Sequence, residues 1–159
     1  MLRPGGHTTV YDDDPELRRI FRTCPTIAVL GAHVERGRAA FYVPDYLEGF
    51  GYELIPVNPA YVGERLWGNP FVATLAEIER PVDLVDVFRR GPAVADHLDD
   101  ILAMTPLPRV VWLQLGIKND AVAAALTAAG IEVVQDRCML ADHRRLGLGR
   151  VGAHEGSPR

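Results

Sequence analysis

A glycine turn carrying several cations, Gly31-Ala32-His33-Val34-Glu35-Arg36-Gly37-Arg38, follows the compact run Thr26-Ile27-Ala28-Val29-Leu30. A strand, a glycine turn and a helix start together make an anion site, because unpaired backbone N–H groups and the helix dipole point at the loop. Arg36 and Arg38 would add positive charge there. The spacing gives neither G-x-G-x-x-G nor G-x-x-x-x-G-K-[ST], so the dinucleotide fingerprint and the phosphate-loop NTPase pattern both fail. Asn58-Pro59 stands where the second strand ends. An NAD site usually places Asp or Glu about 20 residues beyond its glycine turn to accept from the ribose. Neutral Asn58 removes the like-charge penalty against a phosphate, so a phosphate-rich adenine nucleotide fits better than NAD.

Other candidates for chemistry are fewer. Arg137 precedes Cys138, and a neighbouring cation favours thiolate; the competing reading is a cysteine that fills space at a strand end. Cys138, Asp142 and His143 do not have the spacing of a zinc motif. Asp83 and Asp86 are three residues apart on one strand and so face opposite sides, which argues against a carboxylate dyad and leaves at least one as a capping or salt-bridge residue. Trp112, among apolar neighbours, reads as core. No catalytic or metal-binding set is assigned.

The elements that must position these residues alternate. Asp14-Pro15-Glu16 predicts a helix start with Asp14 as cap, running to about Phe21. Strands are expected at Thr26–Leu30, Tyr52–Val57, Leu84–Val87, Arg109–Leu113 and Ile131–Val134. Between them come a helix that begins near Tyr42 because of Pro44, an irregular or hairpin-like excursion from Gly63 to Pro70, and a short helix at Thr74–Ile78. A further helix opens at Pro92, another is capped by Asn119, and one helical turn or more is expected between Asp142 and Arg150. Pro56 implies a missing ladder donor near the end of the second strand. Strand–helix alternation across short loops requires right-handed crossovers, hence a doubly wound α/β fold with a five-stranded parallel sheet. The expected order is 3-2-1-4-5, with the topological switch between strands one and four.

A chain of 159 residues, 48% hydrophobic, is sized for one core: domains of this length hide roughly 70% of the surface their unfolded chains expose. The expected division is a flexible segment 1–13, a single domain 14–148 and a flexible tail 149–159. A net charge of −4 and the lack of a basic stripe with interleaved aromatics argue against nucleic acid. No secretion signal or membrane span is read, and two distant cysteines suggest a reducing, cytoplasmic setting.

Five motifs, in order, carry a resemblance: Ile27–Gly31, Ile55–Pro59, Val82–Arg89, Trp112–Ile117 and Asp136-Arg137-Cys138. Over about residues 20 to 147 the chain resembles the stand-alone CoA-binding domain family, itself similar to the N-terminal domain of the succinyl-CoA synthetase alpha subunit and of ADP-forming acyl-CoA synthetases. The resemblance implies a three-layer Rossmann-like fold that holds coenzyme A, or an acyl-CoA, through adenine, ribose and phosphates. It assigns Gly31, Ala32, His33, Arg36 and Arg38 to the phosphate loop, and Val57, Asn58 and Pro59 to the second rim. Phe88 and Arg89 fall to the third rim, and Gln114, Gly116 and Ile117 to the fourth. His33 stands where a small residue is expected in many relatives.

The synthetases carry their phosphorylated histidine and nucleotide-activating modules in additional domains, and His7, His97, His143 and His154 match no such motif. The expectation is a CoA-binding protein without catalysis of its own. Two alternatives stay open: an NAD(P)-binding oxidoreductase or redox sensor, and the CoA-binding subunit of a split acyl-CoA synthetase that needs an ATP-using partner. Cys138 would then be placed to exchange with oxidised CoA.

Overall fold

The computed structural model describes residues 11–152; residues 1–10 and 153–159, with His7 and His154, which make up most of the expected flexible segments 1–13 and 149–159, lie outside the described residues. Helix α1 (Asp14–Thr23) starts one residue earlier than predicted, because the Asp13 side chain rather than Asp14 caps it, accepting the Glu16 N–H at 3.1 Å. Strand β1 (Thr26–Leu30) leads to α2 (Ala39–Glu48), which begins before Tyr42 and carries Pro44 in its interior. The missing Pro44 N–H would have bonded the Ala40 carbonyl. That carbonyl instead accepts the His33 N–H at 3.4 Å, which offsets the lost helical bond and ties the glycine turn to the helix.

Next come β2 (Glu53–Val57) and the antiparallel pair β3 (Arg65–Leu66) and β4 (Asn69–Pro70), the hairpin that the sequence suggested. The rest is β5 (Leu84–Val87), short helices α3 (Gly91–Val94) and α4 (Leu98–Leu102), β6 (Val110–Leu113), α5 (Asp120–Ala128), β7 (Glu132–Val134) and α6 (Met139–Leu146). Asn119 caps α5 as expected, accepting the Val122 N–H at 3.1 Å. The final helix starts earlier than expected, at Met139 with Cys138 as its N-cap, and Gly147 closes it in the left-handed region.

The sheet is five-stranded and parallel, a doubly wound α/β fold, but its order is β2-β1-β5-β6-β7. In the numbering of the five predicted strands this is 2-1-3-4-5, not 3-2-1-4-5. Pro56 supplies the reason. The Pro56 carbonyl points away from β1 and accepts the Val72 N–H at 3.1 Å, so the absent N–H of the same residue also faces outward. A strand without that outward donor suits an edge, where β2 receives only a single bridge from Val72. The third strand therefore pairs on the other side of β1, and the switch falls between β1 and β5.

Two apolar layers sandwich the sheet. One joins Leu17, Phe21, Val43, Leu47 and Met139 to the sheet face bearing Val29 and Trp112; the other joins Val94, Ile101, Val122 and Leu126 to the face bearing Ala28 and Val111. The hydrogen-bonded body reaches beyond 14–148, since Tyr11 N–H donates to Val133 O and Val151 N–H to Phe50 O, each at 2.9 Å.

Candidate functional site

Strands β1, β5 and β6 finish level, and each ladder runs one bond further. Gly31 N–H donates to Val57 O at 2.9 Å, Phe88 N–H to Leu30 O at 2.9 Å, and Gln114 N–H to Val87 O at 3.2 Å. Gly31, Phe88 and Gln114 consequently sit side by side on one rim at the carboxyl ends of the strands. Gly31 has φ +91°, and a Cβ there would lie 3.0 Å from the Phe88 carbonyl oxygen and 3.2 Å from Arg89 Cδ. Only glycine lets the chain leave β1 so close to β5.

An open cleft of about 700 Å³ runs along this rim at the topological switch, a size and place usual for small-molecule sites. From the β1 and β2 side Gly31, His33, Arg38 and Asn58 line it; Phe88 and Arg89 do so from β5, and Gln114, Gly116 and Ile117 from β6. Four expected residues do not. Ala32 and Val57 are fully buried in the core, and Pro59 opens an exposed turn of 3-10 helix. Arg36 is exposed and folds back over the Phe41 ring, 5.3 Å from its centre.

The polar residues of the rim are held by their neighbours. Asn58 Oδ1 accepts the Ala60 N–H and Asn58 Nδ2 donates to the Ala32 carbonyl, both at 2.9 Å. An aspartate could not make the second bond, so the position calls for an amide on geometric as well as electrostatic grounds. His33 Nδ1 accepts the Glu35 N–H at 3.1 Å, which leaves the proton on Nε2, 3.1 Å from the Tyr61 hydroxyl. Gln114, 4% exposed, accepts the Met139 N–H at 3.1 Å through its side chain and fastens α6 to the rim.

Charge in the cleft has one sign. Arg38, Arg89 and Arg90 line it, and among the described residues no lining residue is Asp or Glu. Arg38 has a loose exposed contact with Glu35 at 3.6 Å, whereas Arg89 and Arg90 have no carboxylate partner among the described residues. The start of α2 has no side-chain cap, and Ala39 and Ala40 line the cleft, so the helix offers first-turn N–H groups to a ligand. Sequence reasoning missed Ala39, Ala40, Tyr42, Val43, Arg90, Gly91, Pro92 and Leu115 as lining residues. Arg90 and Leu115 adjoin residues already singled out; the α2 residues were missed because Pro44 delayed the predicted helix start.

Cys138 lines the far end, half-buried at the start of α6. The neighbouring Arg137 is engaged elsewhere: its guanidinium donates to Asp142 through two bonds of 2.7 and 2.9 Å. Cys24 is buried elsewhere in the core, and burial pushes its thiol up to about 11. Asp83 is a capping residue, accepting the Thr26 N–H at 3.0 Å, and Trp112 is core, its Nε1 donating to Arg137 O. Asp86 is wholly buried in the row Val29–Asp86–Trp112, its carboxyl oxygens without a hydrogen-bond partner among the described residues, and burial raises its carboxyl well above the usual range. No helix of the described residues is long and apolar enough to cross a membrane.

The sequence matches the family described as CoA binding domain over residues 25–144. It is 34% identical over 128 residues to YneT of Bacillus subtilis (strain 168), spanning 80% of this chain and 92% of that one. The fold is similar to a solved Thermus thermophilus protein, cell-free ID.343, at TM-score 0.80 and 48% identity, covering 85% of this chain and 99% of the other. It is also similar to part of a dinucleotide-forming acetyl-coenzyme A synthetase from Ca. Korarchaeum cryptofilum, at TM-score 0.57 and 20% identity over 74% of this chain and 27% of that one, a likeness of fold alone. By the extent of the family match, which spans residues 25–144, the chain belongs to the CoA binding domain family.

Proposed function

We propose that this protein binds coenzyme A or an acyl-CoA in the cleft at the β1–β5 switch, and acts as a binding module rather than as a catalyst on its own. The observation that carries the reading is the cleft itself: three arginines and an uncapped helix start, with no carboxylate among the described lining residues. That pattern suits a ligand with several phosphates and opposes the acid that an NAD ribose usually meets. The same lining argues against intrinsic acid–base chemistry. Its histidine has both ring nitrogens engaged, and its amides, Asn58 and Gln114, hold backbone.

Adenine and ribose belong on the Asn58 and His33 side, and the phosphates by Arg38, Arg89 and the α2 N-terminus. The pantetheine arm then runs toward Gln114–Ile117 and Cys138. An ATP-using synthetase partner is a further part of the proposal, drawn from the resemblance and checked by copurification. The direct test is calorimetric titration with CoA, dephospho-CoA, NAD and ATP at fixed salt, because charged contacts are screened. Saturable binding that prefers CoA is expected; saturation by NAD with none by CoA would overturn the reading in favour of the oxidoreductase.

A further inference from the structure

The cleft changes character along its length. Its cations are Arg38, Arg89 and Arg90, on the β1 and β5 rims, and among the described residues no charged side chain lines it on the β6 and β7 side. The cations nearest in sequence to that end are occupied: Arg137 is bound to Asp142 at 2.7 Å, and Lys118 lies 3.3 Å from Asp120. What lines the cleft there is uncharged: Gln114, Leu115, Gly116, Ile117 and Cys138. Leu115 stands out into solvent, 69% exposed, and Tyr42, which lines the same cleft from α2, is 47% exposed.

Leu115 is held in that position. Ile117 N–H donates to Gln114 O at 2.8 Å, Gly116 N–H to Asp136 Oδ1 at 2.7 Å, and Asp136 N–H to Ile117 O at 3.1 Å. Gly116 and Asp136 both take positive φ to make this loop, +84° and +58°. A tightly fastened loop that holds a leucine out beside the cleft offers apolar surface whose burial by a ligand is favourable. The exposed Asp136 carboxylate behind it is unfavourable to an anionic tail.

We propose that the ligand is a thioester of CoA with an aliphatic acyl group, whose chain lies across Leu115 and Tyr42, and that this apolar lip selects it over free CoA and over acidic acyl-CoAs. The inference rests on the CoA reading and adds a ligand class to it. The arginines are matched to the phosphates, so the acyl end is chosen by burial of methylenes.

The test is a calorimetric series with CoA, octanoyl-CoA and succinyl-CoA on the parent protein and on Leu115→Ser, with Tyr42→Ala as a second variant. Octanoyl-CoA should bind about tenfold more tightly than CoA, the equivalent of roughly two fully buried methylenes. Succinyl-CoA should gain nothing, and the octanoyl-to-CoA ratio should shrink in either variant. Saturable CoA binding with no octanoyl gain, a gain for succinyl-CoA, or an octanoyl gain untouched by both substitutions would overturn this inference and leave the CoA reading standing. Failure of CoA and both thioesters to saturate the folded protein would overturn both.

Discussion

Arg38 and Arg36 are two residues apart in the turn and have different surroundings, which makes them a direct probe of the cleft. Arg38→Ala or Arg89→Ala should weaken CoA binding at least tenfold, since a hydrogen bond to a charged group contributes about 1.5–3 kcal/mol. Arg36→Ala, which removes a side chain lying over Phe41, should have a much smaller effect by the same titration; equal losses would put Arg36 back in the site. The sequence offered both arginines and could not separate them, because which way a side chain leaves a turn depends on its packing partner. At Cys138, the thiol is expected to attack CoA disulfide, forming one protein–CoA disulfide and releasing one CoA thiol, with binding in the cleft raising the local concentration. Intact-mass analysis should show a single adduct lost in Cys138→Ser; modification of buried Cys24 instead would contradict this. Asp86 gives a pH signature. Its folded carboxyl titrates well above the unfolded value of about 3.9, so the folded state holds a proton that the unfolded chain gives up, and stability is lost as pH rises through that window. Urea melts of Asp86→Asn and the parent should therefore diverge in favour of the variant as pH rises above the unfolded value of about 3.9; parallel profiles would show that the buried acid does not titrate so.

At the scale of elements, α2 and α6 are clamped by one histidine. His143, 1% exposed on α6, lies 2.8 Å by Nδ1 from the Tyr46 hydroxyl of α2, while Nε2 donates to Gly149 O at 2.9 Å. With Nε2 donating, Nδ1 is the acceptor, and the buried neutral ring has its pKa lowered by desolvation. The unfolded chain then binds the extra proton, so this contribution is whole above the unfolded pKa of about 6.5 and is lost as pH falls below it. Tyr46→Phe should cost about 0.5–1.5 kcal/mol by denaturant melts at pH 7.5, and no loss would mean the bond contributes nothing. None of this was legible beforehand, because the contact joins residues 97 apart. The strands and the Asn119 cap were legible, since period, β-branched runs and cap chemistry are local. Pro56 and Pro44 were noticed, but their consequences depended on what lay outside β2 and on the Ala40 carbonyl finding His33.

For the whole molecule, the sequence predicted the doubly wound sheet that is found and an expected ligand site at its carboxyl ends, and missed which strand flanks β1. That choice decides the site, because Gly31 meets Phe88 and Arg89 only when β5 lies beside β1. The central claim is that CoA lies along the rim these strands share. An amide chemical-shift titration of the isotope-labelled protein with CoA tests it most directly. The account predicts saturating shifts at Gly31, Arg38–Ala40, Phe88–Gly91 and Gln114–Ile117. The opposite end of the sheet, at Arg19, Arg109 and Gly130, should stay unmoved. Shifts confined to that opposite end, or none at saturating CoA, would contradict the claim.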